Sequence, residues 1–269
     1  MAEIFALWET APGNSEQVPT LTYYKADKKT TNATTLIFPG GAYNHFAKHE
    51  GKSYALFLNS LGMDAFVLEY RIAPARFPLA LIDARRAMRF IRYNSKKFGL
   101  DKDKVLVMGS SAGGNLAALL CTCDIPFDDV YTEADKIDSL DCYPNAQILC
   151  YPYVCMSDKE IGIEWLHDIM FGENNRPYDI SELDPTLHVN DRTPCAFFTH
   201  NADDTCVDVR NSFKYASALL AAGKSCELHI FPFGNHGIAL ANEEGRMNPH
   251  VAQWGKSLEN WLRLMDFIK

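Results

Sequence analysis

Val105-Leu106-Val107-Met108-Gly109-Ser110-Ser111-Ala112-Gly113 is the stretch on which the reading of this chain turns. Four apolar residues, two of them β-branched, describe a buried strand. G-x-S-x-G follows without a linker, and Leu116, Leu119, Leu120 and Cys123 then recur at helical spacing. The segment therefore runs strand, tight turn, helix, and leaves Ser111 at the start of the helix. Short clusters of small residues open many ordinary helices, so the pattern carries meaning only in this context. A serine hydroxyl is a weak nucleophile at neutral pH, and a turn that exposes it beside a base removes that weakness.

Similar apolar, β-branched or aromatic runs lie at Leu21 to Tyr24, Thr35 to Phe38, Ala65 to Tyr70, Ile148 to Tyr151, Ala196 to Thr199 and Leu228 to Phe231. Helical spacing separates them: Tyr54, Phe57, Leu58 and Leu61 closed by Gly62; Leu79, Ile82, Ala87, Phe90 and Ile91; and Val209, Phe213, Ala216 and Leu220. Near the C-terminus Val251, Trp254, Leu258, Trp261, Leu262 and Met265 form a stripe that should pack on the sheet. This alternation predicts an α/β fold with a mostly parallel central sheet and helices on both faces. Functional groups then collect at the C-terminal ends of the strands. Two segments interrupt the rhythm, the acidic stretch 124–143 and the stretch 155–192. The second is a candidate lid or cap insertion in one domain spanning 1–269; the plain alternative is a surface excursion.

Composition narrows the partners. The 269 residues are 47% hydrophobic and 22% charged, with a formal charge of -8 and no block rich in Lys and Arg. Nucleic acid and anionic membranes need a basic footprint, so neither is expected, and a small neutral molecule is. The first residues, Met1-Ala2-Glu3-Ile4-Phe5, contain no basic region and no long apolar stretch, so a cytoplasmic protein is expected. Eight cysteines occur without a C-x-x-C pair and read as reduced thiols.

Nucleophilic chemistry at Ser111 needs a base, an orienting carboxylate and donors for a developing oxyanion. Among eight histidines, His236 alone lies in a glycine-flanked loop, Gly234-Asn235-His236-Gly237, last in the chain order. His229 falls within a strand, His200 ends one, and His45 and His49 lie near the first helix. Asp203 and Asp204 follow the Ala196 to Thr199 strand, and either gives the order Ser, Asp, His. Asp204 is taken as the triad acid; a neighbouring Asp at such a turn serves a structural role such as capping the next helix. Ala112 supplies one oxyanion donor by following the nucleophile. Pro39-Gly40-Gly41-Ala42-Tyr43, at the end of a strand, supplies the others through the Gly40 and Gly41 amides.

With these residues in place the chain resembles the α/β-hydrolases of the esterase and lipase superfamily over nearly its whole length. Within that superfamily it is similar to the acetyl esterases grouped with acetyl xylan esterases. The likeness rests on Pro39-Gly40-Gly41-Ala42-Tyr43, Glu50-Gly51, Tyr70-Arg71-Ile72-Ala73-Pro74, Gly109 to Gly114 and Gly234 to Gly237. Ala42 replaces a third glycine common in those proteins, and Asp208 a proline. Pro39 replaces the histidine usual in hormone-sensitive-lipase-like esterases. The resemblance implies a serine esterase that removes acetyl or other short acyl groups from carbohydrate such as xylo-oligosaccharides, without cofactor. It places the catalytic roles on Ser111, Asp204 and His236, with Gly40, Gly41 and Ala112 as oxyanion donors. Tyr43 and Tyr153 are candidate substrate contacts.

The alternatives use the same groups or none of them. A general short-chain carboxylesterase, or an amidase such as a formamidase, is compatible with the same triad. A metal hydrolase would draw on His45, His49 and Glu50, but the order H-E-x-x-H is absent and no metal is expected. A binding protein on the same scaffold would not need an intact triad.

Overall fold

A computed structural model describes residues 2–13, 15–127, 130, 135–173 and 178–269. Parts of both interrupting segments, 128–129, 131–134 and 174–177, fall outside the described residues.

The strands are β1 (Glu3–Ala6), β2 (Thr20–Tyr24), β3 (Thr34–Phe38), β4 (Asp64–Glu69), β5 (Val105–Ser110), β6 (Gln147–Cys150), β7 (Ala196–Asn201) and β8 (Cys226–Phe231). They form one sheet in the order β1-β2-β4-β3-β5-β6-β7-β8. Only the β1–β2 and β2–β4 pairings are antiparallel; every pairing from β4 to β8 is parallel. The expected mostly parallel sheet is therefore present. β1 extends it beyond the strands read from the sequence: four residues at an exposed edge carry no apolar alternation to mark them.

The helices are α1 (Lys52–Ser60), α2 (Leu79–Tyr93), α3 (Ser95–Phe98), α4 (Ala112–Thr122), α5 (Glu164–Phe171), α6 (Arg210–Ala221) and α7 (Trp254–Leu264). Strand side chains alternate between faces, and β5 divides accordingly. Val105 and Val107 join the core with residues of α2, α4 and α6, while Leu106 and Met108 face Tyr54 and Leu58 of α1 and Trp254, Leu258, Trp261 and Leu262 of α7. The C-terminal stripe thus packs on the sheet as its periodicity predicted. Fully buried Leu258 and Leu262 each contribute about 1.5–3 kcal/mol by leaving water. Among the described residues no helix is long and apolar enough to cross a membrane.

Register fixes where the loops meet. Phe38 pairs with Gly109, Ser110 with Cys150, Cys150 with Thr199, and Asn201 with Phe231. The chain leaves β3, β5, β6, β7 and β8 along one edge of the sheet. Ser111, the Gly40 loop, Asp204 and His236 all follow those strand ends.

The interrupting segment 155–192 contains α5, which the sequence reading did not resolve. Leu166, Met170 and Phe171 anchor α5 in the core, and Phe77 donates its N–H to the Met170 carbonyl at 2.8 Å.

Candidate active site

The turn after β5 holds Ser111 at φ 53° and ψ −119°, a conformation sparsely populated by residues with a side chain. Such geometry costs of order 1–3 kcal/mol and persists because the surroundings enforce it. The Ser111 N–H donates to the Cys150 carbonyl at 3.0 Å. A Cβ at Gly113 would meet the Phe38 carbonyl oxygen at 2.0 Å, so only glycine lets α4 start this close to β3.

His236 lies on the loop after β8. Its Nε2 is 2.9 Å from Ser111 Oγ and its Nδ1 is 2.7 Å from Asp204 Oδ2. The carboxylate fixes the tautomer: Nδ1–H donates to Asp204, leaving Nε2 to accept the serine proton. Asp204 Oδ1 accepts the Cys206 and Val207 N–H groups, each at 2.9 Å. His200 adds a contact that the sequence reading passed over, its Nε2 3.2 Å from Asp204 Oδ2. Burial alone would raise the Asp204 pKa, but the hydrogen bonds from His200, His236 and the backbone hold it well below the usual carboxylate range. The group stays ionised at working pH.

Asp203 has a different task. Its Oδ1 accepts the Gly234 and Asn235 N–H groups, each at 2.9 Å, and so braces the loop that carries His236. It caps no helix. Asp208, which replaces the proline, bonds the Arg210 N–H at 2.8 Å where α6 begins.

The loop after β3 corrects one expectation. The Gly40 N–H donates to Glu50 Oε2 at 2.8 Å and is not available to an oxyanion. Among the described residues, the N–H groups of Gly41, Ala42 and Ala112 have no hydrogen-bond partner. Gly41 sits at φ 127°, and a Cβ there would meet the His45 carbonyl oxygen at 2.1 Å. Ala42 takes φ 53° despite its side chain, so the missing third glycine does not prevent the turn.

Tyr43 and Tyr153 do not offer their hydroxyls to a ligand. Tyr43 donates to Asn115 Oδ1 at 2.7 Å. Fully buried Tyr153 pairs with His167 Nε2 at 2.8 Å and accepts the Ile163 N–H at 2.9 Å, tying the α5 segment to the core. A buried tyrosine needs such a partner for its polar end, which sequence alone does not locate. His49 Nε2 and Glu50 Oε1 lie 3.8 Å apart, but His45 joins neither as a third ligand. His45 Nδ1 meets Asn44 Oδ1 at 2.5 Å, His49 Nε2 donates to the Gly237 carbonyl at 3.0 Å, and Glu50 turns inward. Among the described residues no group of three or more His, Cys, Asp and Glu is placed to hold a metal ion.

The BD-FAE family model matches residues 21–219, which include the oxyanion loop, Ser111 and Asp204. The chain belongs to the BD-FAE family. The acetyl ester-xyloside bifunctional hydrolase of Caldicellulosiruptor lactoaceticus is 37% identical and superimposes with a TM-score of 0.90, covering 99% of this chain and 97% of that one. Its likeness identifies the present BD-FAE protein as an α/β-hydrolase in fold. Endo-1,4-beta-xylanase B of Butyrivibrio fibrisolvens is 30% identical over 246 residues, 88% of this chain. The acetylxylan esterase of Xylanibacter ruminicola is 29% identical over 230 residues, 84% of this chain. The chain spans only 38% and 44% of those two proteins' own lengths.

Proposed function

We propose that this BD-FAE protein is a serine esterase that releases acetate and similarly short acyl groups from carbohydrate esters through an acyl-enzyme on Ser111. The observation that carries the reading is the continuous chain Ser111 Oγ, His236 Nε2, His236 Nδ1, Asp204 Oδ2, with links of 2.9 and 2.7 Å. Ser111 Oγ attacks the ester carbonyl carbon while His236 Nε2 takes its proton. Negative charge collects on the former carbonyl oxygen, where the Gly41 and Ala112 amides donate, with Ala42 beside them. The tetrahedral intermediate collapses as His236 returns the proton to the leaving alcohol oxygen. Water then attacks the acyl-enzyme, His236 again serving as base and then as acid, and acetate leaves.

Carbohydrate as the alcohol is supported by the relatives, one an acetylxylan esterase and another an acetyl ester-xyloside hydrolase. The domain reading that goes with it takes 1–269 as one unit, with 155–192 an insertion rooted beside the site through Tyr153. The kcat/KM for p-nitrophenyl esters is expected to peak at acetate and fall through butyrate to octanoate, each poorly fitted methylene costing of order 1–3 kcal/mol. Acetylated xylo-oligosaccharides are expected to release acetate. A maximum at octanoate would make the protein a general carboxylesterase, and preference for formyl amides an amidase.

One solution property follows from the same groups. Prolonged treatment with EDTA should leave the rate unchanged. Loss that zinc restores would shift the chemistry to His45, His49 and Glu50.

A further inference from the structure

Glu50 is one of the few carboxylates withdrawn from water, 2% exposed at the end of a short turn after the oxyanion loop. Burying a carboxylate is unfavourable unless its oxygens are satisfied, so what those oxygens hold explains the residue. Oε2 accepts the Gly40 N–H at 2.8 Å, one residue before the Gly41 amide. Oε1 accepts the Tyr151 O–H at 2.7 Å. The Tyr151 oxygen in turn accepts the Ala239 N–H at 3.1 Å, three residues beyond His236, and its ring meets the His236 imidazole edge-on, centroids 5.0 Å apart. Tyr54 extends the network, its hydroxyl 3.4 Å from that of Tyr151 and 2.9 Å from Ser110 Oγ, beside the nucleophile.

We infer that Glu50 and Tyr151 form a positioning pair that sets the oxyanion loop and the His236 loop against each other, so that donors and base are aligned together in the transition state. The pair touches no substrate and acts through Gly40 on one side and Ala239 and the His236 ring on the other. The inference rests on the esterase reading above. A group that aligns transition-state contacts lowers kcat when disturbed, whereas ground-state binding barely changes.

Full-length wild type, Glu50→Gln, Tyr151→Phe and the double variant are compared on p-nitrophenyl acetate. Glu50→Gln preserves shape but replaces one of the two acceptor oxygens by a donor; Tyr151→Phe deletes only the hydroxyl. Each single variant is expected to lose on the order of 10²-fold in kcat, comparable to removal of one oxyanion donor, with KM within about two-fold of wild type. The double variant should lose little more than either single one, because the two residues act as a unit. A trifluoromethyl ketone adds a mechanism-specific readout. Ser111 Oγ bonds to its carbonyl carbon, the proton passes to His236, and the oxyanion rests in the hole. Its affinity should weaken in proportion to kcat/KM across the series.

Thermal midpoints separate alignment from mere folding: a loss that vanishes on cooling below the midpoint overturns the inference. Losses that multiply in the double variant, a change confined to KM, or full activity in Tyr151→Phe also overturn it. Should Glu50→Gln fail to fold, Tyr151→Phe decides alone on kcat, KM and inhibitor affinity. A wild type inert toward every ester overturns the function reading and this inference with it; an active wild type with any of the preceding outcomes overturns this inference alone.

Discussion

Ser111→Ala is expected to abolish ester hydrolysis, lowering kcat by on the order of 10⁶, the loss seen when a serine nucleophile is removed from a complete triad. The neighbouring Ser110 cannot take over. Ser110 is fully buried, and its Oγ is engaged by Tyr54 at 2.9 Å. The variant should fold normally. Alanine removes one oxygen, which is bonded to His236 Nε2, and the backbone at φ 53° is equally uncommon for serine and alanine. Circular dichroism and the thermal midpoint should therefore match wild type within a few degrees. An organophosphonate should add to Ser111 in the wild type, as mass spectrometry of the digest will show, and to nothing in the variant. Adduct on Ser110, or a fully active Ser111→Ala protein, would reject the assignment of the nucleophile.

How far the sequence led depends on which physical property each feature expresses. Sheet and helices were legible because burial imposes periods of two and 3.6 on the residues, and the two-faced division of β5 repeats that alternation in space. Ser111 and His236 could be singled out as candidate nucleophile and base because strand-turn-helix and glycine-flanked loops are local. The fate of Gly40 was not local: its amide is taken by a carboxylate ten residues away, and nothing in Pro39-Gly40-Gly41 reports that contact. Asp203 and Asp204 differ only in which way their side chains leave one turn. One braces the Gly234 loop and the other meets His236, a distinction that the positions of β7 and β8 make. Tyr43 and Tyr153 illustrate the same limit, since aromatic residues after strand ends read alike whether they line a cleft or fill the core. Glu50 was visible as part of a motif. Its contact with Tyr151, 101 residues downstream just past β6, was not.

Asp204→Asn should lower kcat by on the order of 10⁴-fold, and the corresponding change at Asp203 by less than about ten-fold. The Asp204 carboxylate accepts from three donors, His236 Nδ1 and the Cys206 and Val207 amides, with His200 Nε2 3.2 Å away. An amide has one oxygen for these three and turns a donor toward some of them. It favours the imidazole tautomer that carries its proton on Nε2, which cannot accept from Ser111, and it no longer stabilises the imidazolium formed in the transition state. Asp203 uses a single oxygen for both of its bonds, and asparagine keeps that oxygen. A damaging Asp203→Asn with a mild Asp204→Asn would move the triad acid by one residue. Stability provides an independent check with a defined sign. Because the folded state holds the Asp204 pKa below its unfolded value, ionised Asp204 contributes stability above the usual carboxylate value of about 3.9, and that contribution is lost as pH falls further. The stability difference between wild type and Asp204→Asn in urea should therefore change as pH falls below about 3.9.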